Sequence, residues 1–209
     1  MNVIDAIKER RSIRRFKSAQ MTDEQIKILL EAARLAPSGS NVQPWRFLIV
    51  KDQELKNRLR EACFNQELIG EASIVIVCCG DLLSWKETRE RNQEIISLLQ
   101  RPINKEYENA LIARVDRAAS VEITERIPTT MMNVAIAIEH IVLEAVELGL
   151  GSCWVRIFDE QKIRALFDLP EYILIVAILA IGVPDERPEP RPRLPLSSIV
   201  IPIKEKGVV

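Results

Sequence analysis

The sequence has one histidine and four cysteines, and their spacing excludes several kinds of site. No second histidine or cysteine follows His140 at i+4, where Glu144 stands, so a helical pair of histidine or cysteine metal ligands is not indicated. The cysteines, at positions 63, 78, 79 and 153, show neither a C-x-x-C pair nor metal-ligand spacing. We therefore expect no metal site, a structural role for His140, and reduced, buried thiols.

Nucleotide-binding glycine motifs and long apolar runs are also missing. Neither G-x-G-x-x-G nor G-x-x-x-x-G-K-S/T occurs, which argues against Rossmann and P-loop folds. The apolar run at 173–181 is nine residues long, whereas a membrane span needs about 20. Charges at Asp5, Lys8 and Glu9 do not fit a signal peptide. We expect a cytoplasmic protein with no membrane partner.

The overall charge is close to balanced, at −1, so no global electrostatic attraction to nucleic acid is expected. Apolar residues make up 47% of the chain, and no stretch has the composition of a linker. That composition is typical of one well-cored unit. We predict a single domain over residues 1–209.

The most distinctive feature is a basic cluster at residues 10–16, where four arginines surround Ser12. Guanidinium groups match phosphate oxygens two at a time, and a hydroxyl can complete the shell. Ile13 and Phe16 interrupt the charges and would fix the segment against a core. The residues alone leave two readings open: a grip for a small phosphorylated ligand, or a solvated basic patch that touches nucleic acid.

Local signals place the elements of the first half. Thr22 and Gln25 form a capping box that predicts a helix with an apolar stripe up to Ala33. Asp52 should cap the next helix, and residues 73–79 read as a central strand. In that strand the adjacent cysteines would point to opposite faces.

The second half should contain the longest helix, at 131–148, capped by Thr129 or Thr130 and ended by Gly149. It is apolar on nearly every face, so we expect it to be buried on most sides. Strands are predicted at 152–157 and 173–181, with a short helix after Asp159 between them.

Three remaining stretches are not simple helix or strand. The loop 38–45 is rich in hydroxyl and amide groups that suit a polar heteroaromatic edge, although such residues also dominate ordinary turns. Segment 81–126 is charged and predicts two exposed helices, an insertion or lid. The tail, 183–209, holds six prolines and predicts an extended arm. Helices around a few strands without β-α-β alternation indicate an α+β layered sheet.

Four motifs occur in the order and spacing of FMN-dependent nitroreductases, so the chain resembles that family over nearly its whole length. They are Arg10-Arg11-Ser12-Ile13-Arg14, residues 37–45 (PSGSNVQPW), residues 149–154 (GLGSCW) and residues 190–195 (PRPRLP). The resemblance implies a three-layer α-β-α fold with a mixed, mainly antiparallel sheet. It also implies bound FMN, NADH or NADPH as electron donor, and a homodimer.

The resemblance assigns roles to residues at the motif positions. Arg10, Ser12 and Arg14 would bind the FMN phosphate, together with Arg191 or Arg193 of the arm, and Arg11 would approach the ribityl chain or ring. The remaining cofactor contacts would come from the loop of the other subunit, from an amide ahead of the central strand, and from the strand after Gly149. These residues are Pro37, Ser38, Ser40, Asn41 and Gln43; Asn65; and Trp154, Val155 and Arg156, with Ile157 beside them.

Hydride chemistry carried by a cofactor needs no serine–histidine pair or carboxylate dyad, which fits the single histidine. No catalytic side chain is therefore assigned. The family suggests ping-pong reduction of a nitroaromatic, a quinone or a similar electron-poor compound. Segment 81–126 lacks every motif but carries Trp85 and Tyr107, whose rings could cover a stacked substrate. Three other readings stay open: flavin destruction, dehalogenation or azoline oxidation by a relative; flavin binding without turnover; and a structural or nucleic-acid role for the arginines.

Overall fold

The computed structural model describes residues 1–87 and 104–202, and the structural statements below refer to those residues. In chain order, this part contains helices and strands that alternate irregularly, as an α+β protein requires. They are α1 Val3–Glu9, α2 Asp23–Arg34, β1 Trp45–Val50, α3 Gln53–Ala62, α4 Glu67–Glu71, β2 Ile74–Asp81, α5 Lys105–Ser120, α6 Ile127–Glu147, β3 Gly151–Val155, α7 Glu160–Phe167, β4 Ile173–Gly182 and α8 Leu196–Ile199.

The four strands form one sheet in the order β1-β2-β4-β3, so β1 and β3 lie at opposite edges. All three strand pairs are antiparallel. A parallel contact is added at the free side of β3, where Ser12 forms an isolated bridge with Ser152. The expected α+β fold with a mainly antiparallel sheet is confirmed; in the described residues the parallel bridge lies outside the four strands.

Side chains of β2 alternate between two hydrophobic cores, one on each face of the sheet. Ile76 and Cys78 pack with buried residues of α2 and α6. Val77 and Cys79 pack on the other face with α3, α4 and α7. Because every residue of β2 except the last is buried, the strand reads as a continuous apolar run. The predicted three layers and the opposite directions of the two cysteines are confirmed.

Short-range capping signals are confirmed by the structure. Thr22 and Gln25 form both hydrogen bonds of the capping box at the start of α2. The carboxylates of Asp52 and Asp159 accept backbone N–H bonds at the starts of α3 and α7. Gly149 has φ +71° just after α6, a conformation that glycine adopts without strain. Each signal acts within three or four residues, which is why the sequence reveals it.

Three predicted boundaries are wrong. Strand β2, predicted at 73–79, ends at Asp81, two residues later. Helix α6 begins at Ile127 rather than near Met131, so Thr129 and Thr130 lie inside its first turns and neither caps it. Pro128 stands in the first turn, where its fixed φ favours a helix start and its missing N–H costs nothing. Strand β3 ends at Val155, two residues earlier than predicted.

Helix α6 is the central helix of its layer and packs against α2 and the sheet. One stripe is fully buried, but a second stripe is only partly covered, and Met132 is 56% exposed. By length and composition the segment Ile123–Glu147 could cross a membrane, a property that core helices share. Its His140 donates from Nδ1 to the Ala32 carbonyl at 3.1 Å, which agrees with a structural role.

The four cysteines are free and buried. Burial raises the pKa of the Cys63 and Cys79 thiols to about 12, because a thiolate loses its hydration there. It also raises the pKa of Cys78 and Cys153. These groups behave as small core residues rather than as nucleophiles.

Candidate functional site

Arginines from the two ends of the chain converge on one pocket of about 330 Å³. The N-terminal side contributes residues from the end of α1 and the segment after it, and the C-terminal side contributes the proline-rich arm. Its polar lining includes Lys8, Arg10, Arg11, Ser12, Arg14, Glu189, Arg191 and Arg193. The structure therefore brings together all six residues that were predicted to surround the phosphate or its neighbouring chain.

The N-terminal segment is held in place by backbone hydrogen bonds on both sides. The Ile13 N–H donates to the Ser152 carbonyl at 3.0 Å, which fixes the segment beside β3. On the arm side, the Asp185 N–H donates to the Arg15 carbonyl at 3.0 Å. Ile13 and Phe16 are buried, as expected, so the arginines between them are attached to the core rather than to a free tail.

Gly151 is required by this close approach. A β-carbon on Gly151 would lie 2.7 Å from Cγ1 and 2.8 Å from Cβ of Ile13, distances that real side chains do not adopt. The missing side chain is therefore what lets the arginine segment lie directly against β3.

The guanidinium groups make few bonds to carboxylates, so the pocket stays positive. Arg11 Nη1 donates to the carbonyls of Lys8 and Arg10 at 2.6 and 2.8 Å. These carbonyls lie at the C-terminus of α1, where the helix itself supplies no hydrogen-bond donor. Arg14 Nη1 donates to the Ser12 carbonyl at 3.1 Å. Arg193 Nη1 lies 3.5 and 3.4 Å from the carbonyls of Arg191 and Pro192.

Besides Glu189 in the lining, Glu139 and Glu186 lie beside the arginines, and no local pattern of the sequence indicates either of these two contacts. Oε1 of Glu139, on α6, lies 4.0 Å from Arg10 Nε. Burial raises the pKa of the Glu139 carboxyl, and the positive charge of Arg10 partly opposes this rise. Glu186 accepts the backbone N–H of Arg14. Both contacts join residues more than 100 positions apart, so no local pattern could reveal them.

The loop before β1 has an unusual backbone. Ser40, Asn41 and Gln43 all have positive φ values, of 53°, 51° and 46°. Non-glycine residues rarely adopt this conformation, and clusters of them mark functional sites. The Ser38 hydroxyl accepts the Gln43 N–H at 3.0 Å, and Gln43 Nε2 donates to Asn41 Oδ1 at 3.1 Å.

A buried amide anchors this loop from α6. Asn133 Oδ1 accepts the Gly39 N–H at 3.1 Å, and Asn133 is 1% exposed. The sequence prediction does not include Asn133, because no local pattern links it to a loop more than 90 residues away. Asn133 accounts for how the strained loop is attached to the core.

The loop and the arginine pocket lie at diagonally opposite corners of the sheet. Trp45, at the start of β1, pairs with Gly80 of β2, and Gly80 pairs in turn with Leu174 near the start of β4. Gly151 is level with Gly182 at the other end of β4. The start of β1 and the start of β3 are therefore separated by eight residues along the strands and by three strand spacings across the sheet. Together these amount to a distance of about 25 Å or more. One chain therefore cannot place both features on the same small ligand.

The Asn65 turn lies beside the far end of β3. Asn65 has φ 59° and is exposed, and its neighbour Gln66 donates from Nε2 to the Ile157 carbonyl at 3.0 Å. The Asp159 N–H also donates to the Ala62 carbonyl at 2.7 Å. Strand β3 thus connects the arginine pocket at Gly151 with the Asn65 turn near Arg156, which is exposed.

The predicted lid is described only in part, since residues 88–103 lie outside the described residues. Helix α5 is largely exposed, as expected, and Tyr107 is 56% exposed. Trp85 differs from the expectation. It is 5% exposed and stands in the turn Ser84–Glu87 that contacts α5, so it supports the lid and offers no open ring face.

Comparison with known proteins identifies the fold and the family. The model of the nitroreductase family matches residues 7–183. An NADH dehydrogenase of Thermus thermophilus is 34% identical over 92% of this chain and 92% of its own length. The chain belongs to the nitroreductase family.

Two further relatives show the range within that family. An iodotyrosine deiodinase of Thermotoga neapolitana is 29% identical, over 94% of this chain and 95% of its own. A protein of Exiguobacterium sibiricum, described as a nitroreductase and crystallised with FMN, superposes with a TM-score of 0.81 at 24% identity, over 96% of this chain and 97% of its own. The second likeness confirms the nitroreductase-like α+β fold.

Proposed function

We propose that the protein is an FMN-dependent oxidoreductase that takes hydride from NADH or NADPH and reduces a small, electron-poor acceptor such as a nitroaromatic or a quinone. The observation that carries this proposal is the pocket in which arginines from both ends of the chain converge within a nitroreductase fold. The names of its relatives, which include an NADH dehydrogenase, support the same activity class.

The residues fit the phosphate end of FMN. A dianionic phosphate offers several oxygens to a convergent set of guanidinium donors, and bidentate arginine contacts are among the strongest that proteins make. Arg10, Ser12, Arg14, Arg191 and Arg193 would hold this group. The pocket volume of about 330 Å³ and its open polar lining suit the group without rearrangement of the core.

Strand β3 would carry the rest of the cofactor toward the Asn65 turn. Backbone groups from Trp154 to Arg156 would contact the ring, and Asn65 would donate an amide to its polar edge. When bound, FMN accepts a hydride from the nicotinamide and passes reducing equivalents to the acceptor. The protein's own part is to bind, orient and shield, so the absence of an assigned catalytic side chain is consistent.

The site would be completed by a second copy of the chain. The loop 37–43 lies about 25 Å or more from its own arginine pocket, so Ser38, Ser40 and Asn41 would reach the flavin of a partner subunit. The partly covered stripe of α6 supports the same arrangement. So does the exposed apolar surface of the arm at Leu194, Leu196, Ile199, Val200 and Ile201.

A mixed-dimer experiment tests this arrangement. Arg14→Ala and Asn41→Ala homodimers would each have two damaged sites, whereas a mixed dimer has one doubly damaged site and one intact site. Random exchange makes roughly half the dimers mixed, so roughly a quarter of all sites should regain full FMN binding. Differently tagged variants are co-refolded and titrated with FMN, and tandem affinity capture confirms the mixed dimers, in which about half of the sites should bind FMN fully. Confirmed mixed dimers without recovery would contradict a shared site.

A second function is reductive dehalogenation of an aromatic amino acid. The observation in its favour is the similarity to the deiodinase over nearly the full length of both chains. A third, non-catalytic role would leave bound flavin unreduced.

The cytoplasmic location expected from the sequence remains part of the proposal, as does the absence of nucleic-acid and membrane partners.

An anaerobic titration tests the proposed function. Purified protein with FMN is mixed with NADH or NADPH, and the flavin absorbance is followed, after which a nitroaromatic, a quinone or a halogenated tyrosine is added. Bleaching by either donor and recovery of colour with a nitroaromatic or quinone supports the oxidoreductase. Recovery of the flavin colour with the halogenated tyrosine alone would favour dehalogenation. If neither donor bleaches the flavin, the proposed catalytic activity is contradicted.

A further inference from the structure

The guanidinium of Arg114 stands beside the strained loop, outside every motif of the sequence. Arg114 lies on the exposed helix α5, and its Nη2 atom is 3.8 Å from the position that a β-carbon on Gly39 would take. Within the described residues, Arg114 makes no hydrogen bond and no ion pair. Its charge therefore stands next to the loop with no partner among residues 1–87 and 104–202.

The same face of α5 carries an aromatic ring. Tyr107 and Arg114 are seven residues apart, which is close to two helical turns, so their side chains share a face about 10 Å apart. Ala110 lies between them on that face and is small. Leu111 also lies between them on that face, so the face presents an aromatic ring, two apolar side chains and a positive charge next to the loop.

We propose that Arg114 forms a subsite for a single anionic group on a substrate of the flavin site. This inference rests on the proposed function, since it takes the loop around Gly39 to be part of the flavin site. A carboxylate on the acceptor and the 2′-phosphate of NADPH share the required chemistry, because each presents two or more oxygens to the arginine fork. The subsite would discriminate between charged and neutral substrates rather than hold the cofactor.

The electrostatic logic favours a ligand over a structural role. A structural arginine on a helix surface commonly pairs with a carboxylate one turn away, as Lys105 does with Glu108 at 3.0 Å on the same helix. No carboxylate stands three or four residues from Arg114 in the sequence, and in the described part of the chain Arg114 has no ion-pair partner. An unpaired donor fork near a strained loop can bind an anion without first breaking an ion pair.

Equilibrium binding to FMN-loaded protein tests the subsite without turnover. Benzoate and benzamide differ by one charge at nearly constant shape, and adenosine 2′-monophosphate and adenosine differ by the phosphate. Dissociation constants are taken from the change in flavin absorbance or fluorescence. Arg114→Ala should weaken benzoate or the 2′-phosphate by at least about tenfold while the neutral partner changes less than about twofold.

The control is Arg117→Ala, which removes the same charge from the same helix without a contact at Gly39. Arg114→Glu provides a second variant and should reject the anion further. Loss confined to benzoate assigns the anion to the acceptor, and loss confined to the 2′-phosphate assigns it to NADPH; either supports the subsite.

Equal effects on charged and neutral probes, an equal loss in Arg117→Ala, or release of FMN from Arg114→Ala would overturn the inference. If wild-type protein binds FMN and prefers neither anion, this inference alone fails. If it does not bind FMN, the proposed function fails as well.

Discussion

Substitution of Gly151 by alanine should displace the arginine segment without removing any charge. The new methyl group would lie 2.7 Å from Ile13 Cγ1, whereas carbon atoms pack best at about 3.5–4.0 Å. Relief requires the segment to move away from β3 by about 1 Å. The hydrogen bond from the Ile13 N–H to the Ser152 carbonyl, now 3.0 Å, would then lengthen beyond a useful distance.

The size of the effect follows from these contacts. Overpacking a core contact costs about 1–3 kcal/mol of stability. Loss of one well-placed charge-assisted hydrogen bond to the phosphate costs about 1.5–3 kcal/mol. FMN affinity should therefore fall by at least about tenfold. Fluorescence titration measures the affinity, and thermal unfolding of the FMN-free protein measures the stability.

Gly70→Ala is the matched control for this experiment. A β-carbon on Gly70, which lies in helix α4, would make an ordinary contact at 3.5 Å with Arg60 Cδ. Alanine is favoured over glycine inside a helix by about 0.5–1 kcal/mol, so this variant should be as stable as wild type or more so. Unchanged FMN affinity in folded Gly151→Ala would refute the assignment of the pocket.

Two further changes test the site and the core. Arg14→Ala should weaken FMN binding by about 1.5–3 kcal/mol and Arg15→Ala far less, because Arg14 lines the pocket and Arg15 does not; equal flavin retention after dialysis would contradict this. Burial raises the pKa of the Cys63 and Cys79 thiols from an ordinary value of 9.0 to about 12. The unfolded chain binds fewer protons between these values, so stability should fall as pH rises above about 9. Denaturant titrations at pH 8 and pH 10.5 measure this, and equal stability would contradict the burial.

The fold was predictable where the signals are local. The capping box at Thr22, the caps at Asp52 and Asp159, and Gly149 all act within one turn, so sequence and structure agree. The start of α6 was predicted wrongly because a threonine cap was preferred over Pro128, which is the stronger signal in a first turn.

The candidate site was predictable only as separate motifs. The resemblance placed Arg14 and Arg191 together, and the structure brings them into one pocket. Contacts such as those of Glu186 with Arg14, and of Asn133 with the loop, depend on how distant segments pack. The burial of Trp85 likewise depends on its neighbours, because an aromatic residue in a charged segment gives no sign of which side it faces.

The central claim, that the arginine pocket binds the phosphate of FMN, is tested most directly by comparing FMN with riboflavin, which lacks that group. Calorimetric titrations are made on wild-type protein and on Arg14→Ala. The account predicts that wild type prefers FMN by at least about tenfold and that the substitution weakens FMN while leaving riboflavin nearly unchanged. Equal affinity of wild-type protein for FMN and riboflavin would contradict the claim.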